Sequence, residues 1–381
     1  MAFPDAAFED QRAAFAQSMG VKLDKRTGAD VATVAVVCTI YFINMLAVIT
    51  MIWNRNYPPL KAKCVPLLAS MFVAMGLCFV GDFEANGHVQ LSGSGLSNCR
   101  GIGIWVHLVL GFCAISGMCA LRSLMLYQVF CRNLPCRGLK FYLPIAAYLT
   151  LIFTYGIVTM AVNEKNAVYY FPELDLCAAD TPYKTATVVL VWVTQGAVLV
   201  SYWFIRNIRS SFNESREMAF VTAASLTGLI STTIIQYVVP TYPLLLPYRM
   251  TMSYVTQLAI NTTWWGMFAI PLFNCLFRRQ KYLTEWTAKL RQDGMQREYR
   301  VDSSVGMQPI PDNAAPKTRP SFAHKESDNN NFYYSNESGT RLCAPSDSYS
   351  ETGHISGHES AEDTQITCPA ASSTNNARQL V

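Results

Sequence analysis

The sequence predicts an all-α membrane protein: a seven-transmembrane helix bundle with its N-terminus outside and a disordered cytoplasmic C-terminal tail. Three observations carry that expectation. Of 381 residues, 51% are hydrophobic and only 15% charged, whereas a soluble chain carries about 25% charged residues. Between residues 31 and 277 the charge is confined to short clusters that separate seven apolar runs, each near the ~20 residues a helix needs to cross the hydrocarbon core. None of these runs alternates as a transmembrane strand does, and the helix is then the spanning structure that satisfies its own backbone.

The first element, residues 1–30, reads as a short extracellular tail. Asp5, Glu9, Asp10 and Arg12 stand where a signal peptide would have its apolar core, so the first helix is expected to direct insertion. The spans of the transmembrane domain, residues 31–277, are expected at Val31–Trp53, Cys64–Gly81, Gly101–Leu121, Phe141–Val162, Ala186–Ile205, Ala219–Val239 and Met250–Phe277. Residues 278–295, "RRQKYLTEWTAKLRQDGM", place Tyr282, Leu283, Trp286 and Leu290 on one side and basic residues elsewhere. That pattern predicts an amphipathic juxtamembrane helix lying on the anionic inner leaflet; Cys275 just before it is a candidate for palmitoylation or for plain packing. Residues 296–381 are rich in Ser, Asn, Thr, Asp and Pro. They carry too little apolar surface to fold, and their hydroxyls invite phosphorylation.

Lysine and arginine in short loops set the orientation. One set of loops holds Arg55, Lys61, Lys63, Arg132, Arg137, Lys140, Arg206, Arg209 and Arg216, followed by Arg278, Arg279 and Lys281 after the last span. The opposite set holds only Arg100, Lys165, Lys184 and Arg249, and outweighs nothing even with Lys22, Lys25 and Arg26 added. Of the 12 cysteines, only Cys99 and Cys177 fall on the outer, oxidising side, so these two are the expected disulfide. Asn-x-Ser/Thr matches at Asn213, Asn261 and Asn336 fall inside the cell or inside a helix, and none is expected to carry a glycan.

Several seven-helix chemistries are disfavoured. A retinal pump needs a lysine in the last span, and residues 250–277 have none. A membrane zinc hydrolase needs clustered histidines, and of five only His107 falls in an expected helix. A transporter is expected to show internal repeats or paired intramembrane charges, and the sequence displays neither. The basic residues are topology signals, so no nucleic-acid surface is expected. A receptor is the reading left, with a transporter, a channel or a membrane adaptor acting through its tail as alternatives.

The inner loop and second span read "RNYPPLKAKCVPLLASMFVAMG", and the end of the third reads "LRSLMLYQVF". With Cys99 and Cys177, these stretches resemble the fungal and plant seven-transmembrane receptors of the RGS-linked type, which are distantly similar to the class C, GABA-B-like receptors. Pro58, Pro59, Lys61, Lys63 and Pro66 match the first motif, and Arg122, Leu126, Tyr127 and Phe130 the second. Met125 stands where the family has a second basic residue, and the polar tail has no RGS-like pattern. The resemblance covers residues 31 to about 280. It implies a multi-pass plasma-membrane G-protein-coupled receptor, without enzymatic activity or cofactor, whose partners are a small-molecule ligand, the lipid bilayer and a heterotrimeric G protein through its Gα subunit. A homo-oligomer is compatible with it.

Two sets of candidate residues follow. Tyr254, Gln257 and Asn261 share one helical face at i, i+3 and i+7, continued inward by Trp264; His107 and Gln236 lie at similar depth on other spans. These six are the candidate ligand pocket, with helix-to-helix bonding as the plainer role; for Asn44 and Gln195 the plainer role is preferred. On the inner side the candidates are Arg122, Tyr127, Arg132, Arg206, Arg209 and Arg216. Arg122 lies about 33 Å along the helix from Arg100 at 1.5 Å per residue. It is therefore expected at the inner headgroup level, as a snorkelling anchor or as a polar lock with Glu214 or Glu217.

Overall fold

The computed structural model describes residues 5–128, 138–163, 166–205 and 214–292. Arg132, Arg206, Arg209 and Phe130, together with the tail expected to be disordered, lie outside the described residues. Among the described residues, six helices are long and apolar enough to cross a membrane: Gly28–Trp53, Val65–Ala85, Arg100–Leu126, Leu139–Ala161, Thr181–Ile205 and Arg216–Val238.

The N-terminal segment forms a helix, not a plain tail. α1 (Ala6–Ser18) is capped by the Asp5 carboxylate, which accepts from the Ala7 N–H. Its buried face is Glu9, Arg12 and Ala16, a one-sided spacing hidden by the charge of its members. α2 (Gly28–Trp53) starts at a capping box in which Thr27 and Asp30 bond reciprocally. Asp30, Thr33, Val37, Tyr41, Asn44, Val48 and Met51 are buried along one stripe of it, while Phe42, Ile43, Leu46 and Ile49 face outward, as lipid contact requires. α3 (Pro58–Ala62) is a single turn with proline at its start, where a missing N–H costs nothing. α4 (Val65–Ala85) follows.

In the third span, Arg100–Cys113 is wound as a π-helix before α5 (Ala114–Leu126). The wide turns accompany near-contact of backbones. A Cβ on Gly81 would sit 2.1 Å from the Cβ of His107, and one on Gly111 would sit 2.9 Å from the Cα of Cys78. Only glycine lets these two helices approach so closely. α6 (Leu139–Ala161) is the peripheral helix, with Leu143, Ile157 and Val158 exposed and the Tyr148 hydroxyl donating to the Cys113 carbonyl. A hairpin of β1 (Val168–Phe171) and β2 (Leu176–Ala179) pairs Tyr170 with Cys177. α7 (Thr181–Ile205) and α8 (Glu214–Val238) come next.

The segment expected as one helix, Met250–Phe277, is two. α9 (Leu246–Gly266) ends at Met267, and α10 (Ala269–Phe277) restarts after Phe268. Pro271 accounts for the break: it cannot donate to residue 267, and its ring opposes that carbonyl. α11 (Arg279–Gln292) is a helix within the expected 278–295 segment. Its Tyr282 and Leu283 pack on the bundle core and Trp286 is buried; Leu290 lies where side chains are not described. Cys275 is buried in the core, which favours packing over acylation.

One apolar cluster runs through α2, α4, α5, α7, α8, α9 and α10, from Val37 to Cys275. A separate cluster joins Ala16 of α1 to Leu174 and Leu244, with Phe15, Leu23 and Phe171 around them. α1 and the hairpin therefore share one end of the bundle. At the other end, the Tyr57 hydroxyl donates to the Arg279 carbonyl at 3.0 Å, tying α3 to α11.

Candidate functional site

α9 is the polar organiser of the bundle. Arg249, Ser253, Gln257, Asn261 and Trp264 recur every three or four residues, and all are buried. Each meets a partner on α2, on α4 or in the turn after α4. The Arg249 guanidinium grips Asp30 with Nε at 2.8 Å and a second nitrogen at 2.7 Å, and it also donates to the Asp24 and Lys25 carbonyls. Nδ1 of His88 lies 2.9 Å from Asp30 Oδ1, and its Nε2 lies 2.9 Å from the Ser253 hydroxyl. The carboxylate accepts, so Nδ1 carries the proton and Nε2 accepts from Ser253.

The chain of bonds continues inward. Asn86 donates to Ser253 at 2.7 Å and to Asp82 at 2.8 Å. Gln257 donates to the other Asp82 oxygen at 3.2 Å and accepts from Tyr41, whose hydroxyl also reaches the Met75 carbonyl. One turn deeper, Asn44 donates to Asn261 at 2.6 Å and accepts from Trp265. Trp264 closes the series by donating to the Leu68 carbonyl at 3.0 Å. Thus Asn44, read from sequence as plain helix bonding, and the pocket candidates Gln257, Asn261 and Trp264 belong to one network between α2, α4 and α9.

Other candidates lie elsewhere. His107 is on the far side of α4, against Gly81. Gln236 offers its carbonyl to Lys184 Nζ at 2.7 Å near the outer end of α8. Tyr254 is 38% exposed and touches the network only through Thr33, at 3.2 Å. The structure therefore divides the expected pocket in three. Arg249 also differs from its expected place in an outer loop: it is 1% exposed inside α9 and ion-paired with Asp30. The paired charge that the sequence did not display is there, because Asp30 and Arg249 lie 219 positions apart and each sits at a helix end where a charge reads as a topology signal.

Above this network lies a second buried set of charges. Arg26 pairs with Asp175 at 2.7 Å and with Glu9 at 3.3 Å, and it donates to the Gly87 and Asp175 carbonyls. Arg12 holds both Glu9 oxygens and the Leu174 carbonyl. Burial, followed by the like charge of Arg26, draws the Arg12 pKa below its ordinary value, while Glu9 opposes the shift. Asp175 further accepts from the Leu91 and Ser92 N–H groups and from Tyr170. Residues 5–27 thereby form a cap tied to the hairpin. Cys99 and Cys177 are joined, with Cα atoms 5.7 Å apart, and this bond fixes the hairpin to the start of the third span.

At the opposite end, Lys63 Nζ lies 2.5 Å from Glu217 of α8. Arg122 is buried within α5, 4% exposed. Tyr127 packs on Phe204 of α7 at 5.3 Å between ring centres, and Arg216 begins the apolar part of α8. Burial pushes the Tyr57 pKa up to about 12, which keeps its hydroxyl a donor to α11. No protein-family model matches this chain, and no curated protein matches its sequence.

Proposed function

We propose that this chain is a plasma-membrane G-protein-coupled receptor, without enzymatic activity, that transmits binding of a small molecule at its outer half to a heterotrimeric G protein. In this reading α9 and α10 form the seventh span, the cap of residues 5–27 faces outside, and α11 lies inside. The observation that carries the proposal is the Lys63–Glu217 pair, which ties the first inner turn to α8. A two-state bundle needs a contact that exists in one state and breaks in the other. This one sits beside the segments that resemble the receptor family, and its groups are close enough to the surface to be released. The α9 network supplies the rigid element between the two ends.

The test is guanine-nucleotide exchange by purified Gα subunits with the chain reconstituted in nanodiscs. Lys63→Met and Glu217→Gln are expected to raise basal exchange above wild type at equal protein amounts. If wild type and both variants match empty nanodiscs across the Gα classes, the coupling reading fails. A transporter is the second reading, and the buried Asp30–Arg249 pair favours it, since such pairs mark substrate and proton paths. Proteoliposomes loaded with a pH-sensitive dye separate the two: a receptor leaves an imposed proton gradient intact.

A further inference from the structure

Glu84 stands apart from every charged group described above. It is 1% exposed at the outer end of α4. Its Oε2 has no hydrogen-bond partner. Its Oε1 lies 2.8 Å from the sulfur of Cys177, but that sulfur is bonded to Cys99 and has no proton to give. An ionised carboxylate so placed would carry its full desolvation cost with nothing to offset it.

Among the described residues, none forms an ion pair with Glu84. On the third span the nearest point is Gly103, where an added Cβ would sit 3.4 Å from Oε2. On that same segment, Arg100 gives two of its nitrogens to the Met160 and Val162 carbonyls at the end of α6, and His107 is packed at Gly81, nearly one turn deeper on α4. On α4, Asp82 is bonded to Asn86 and Gln257. From the hairpin side, Asp175 is held by Arg26. Glu84, Cys99 and Cys177 are also the kind of cluster that could hold a metal ion, but the two cysteines are spent on each other and offer no thiolate.

We propose that Glu84 is a proton-binding site at the joint of α4, the π-helical segment and the disulfide-bonded hairpin. With its proton, the side chain is neutral and the three elements close over it. Without the proton, an unpaired charge lies in that joint and the joint must open to water. Alkaline conditions thus loosen the outer end and acid conditions close it. The site holds whether or not the bundle couples to a G protein.

The sign follows from linkage. An unfolded Glu titrates near ~4.3, so above that value the native state binds one more proton than the unfolded state. Native stability attributable to Glu84 then falls about tenfold in the folding ratio per pH unit, until Glu84 ionises in place. Glu84→Gln has no proton to lose, and it keeps the shape. Unfolding of both proteins in mixed micelles, between about pH 5 and about pH 7, should show their difference in log folding ratio changing by about one per pH unit. A difference independent of pH overturns the proposal. A second measurement uses wild type alone: infrared spectra with glutamate carrying a 13C side-chain carboxyl should show a protonated-carboxyl band at neutral pH that moves with the label. Absence of that band also overturns it.

Discussion

Arg249→Met tests the network at its outer anchor. Asp30 receives two Arg249 nitrogens at 2.8 and 2.7 Å, His88 at 2.9 Å, and its own cap N–H from Thr27 at 2.9 Å. Both members of the ion pair are 1% exposed, so water cannot replace a lost partner. Removing the guanidinium leaves a buried carboxylate with half of its donors. Breaking a buried pair from one side costs about 3–5 kcal/mol. The Asp24 and Lys25 carbonyls lose their donor as well, which places the expected loss toward the upper part of that range. Asp30→Asn with Arg249→Met removes both charges, and the double variant should be more stable than Arg249→Met alone. Equilibrium unfolding in mixed micelles, followed by tryptophan fluorescence, measures all four proteins of the cycle. A single-variant loss under about 1 kcal/mol, or additive losses in the double variant, would refute the view that this pair is a dry, coupled unit.

Three further outcomes are expected. Gln257→Leu and Asn261→Leu should each lower stability, by about 0.6 kcal/mol for every interhelical bond lost; unchanged stability in the same unfolding assay would show the α9 partners to be replaceable. Gly81→Ala must move His107, since the new Cβ would overlap its Cβ, and overpacking of this kind costs about 1–3 kcal/mol; Gly81→Ala combined with His107→Gly, which removes that Cβ, should recover part of the loss relative to His107→Gly alone, and no recovery would place the strain elsewhere. Cys99→Ser with Cys177→Ser removes a link across 78 residues. The chain-entropy relation gives an upper bound of about 4.5 kcal/mol for such a loop, with the true loss smaller because inserted helices already restrict it. Non-reducing peptide mapping should find the two cysteines linked in the native protein, and free thiols at both would contradict the structure.

The helices were legible because each is an apolar run between charges, and that pattern is local. The α9 stripe was legible for the same reason: Gln257 and Asn261 sit on one face whatever they touch. Their partners were not. Tyr41 and Asn44 lie 216 and 217 positions from the α9 residues they bond, and nothing in a local pattern pairs polar residues across that separation. Arg249 and Arg26 were read as topology charges because each stands near an apolar run, a position that also suits a buried ion pair at a helix end. The π-helical segment left no local trace beyond its glycines.

The two ends of the bundle differ in how their charges are closed, and that difference assigns them different parts in a conformational change. The pairs Arg26–Asp175 and Arg249–Asp30, at the end that carries α1, are all but sealed, with side chains no more than 1% exposed, and each arginine makes further bonds to backbone carbonyls. Opening there strands several polar groups together, each at the full desolvation cost. Lys63 and Glu217 are 7% and 11% exposed, and lysine offers one mobile ammonium instead of a planar fork. When that pair parts, water reaches both groups after a small movement, so separation costs less. A ligand contributes only its difference in affinity between two states, typically 1–3 kcal/mol of coupling. A difference of that size can shift the inner tie, whereas it falls short of breaking the outer one. Movement is therefore expected at the Lys63–Glu217 end, between the first inner turn and α8, while the cap and the α9 network stay closed as the frame against which that end moves.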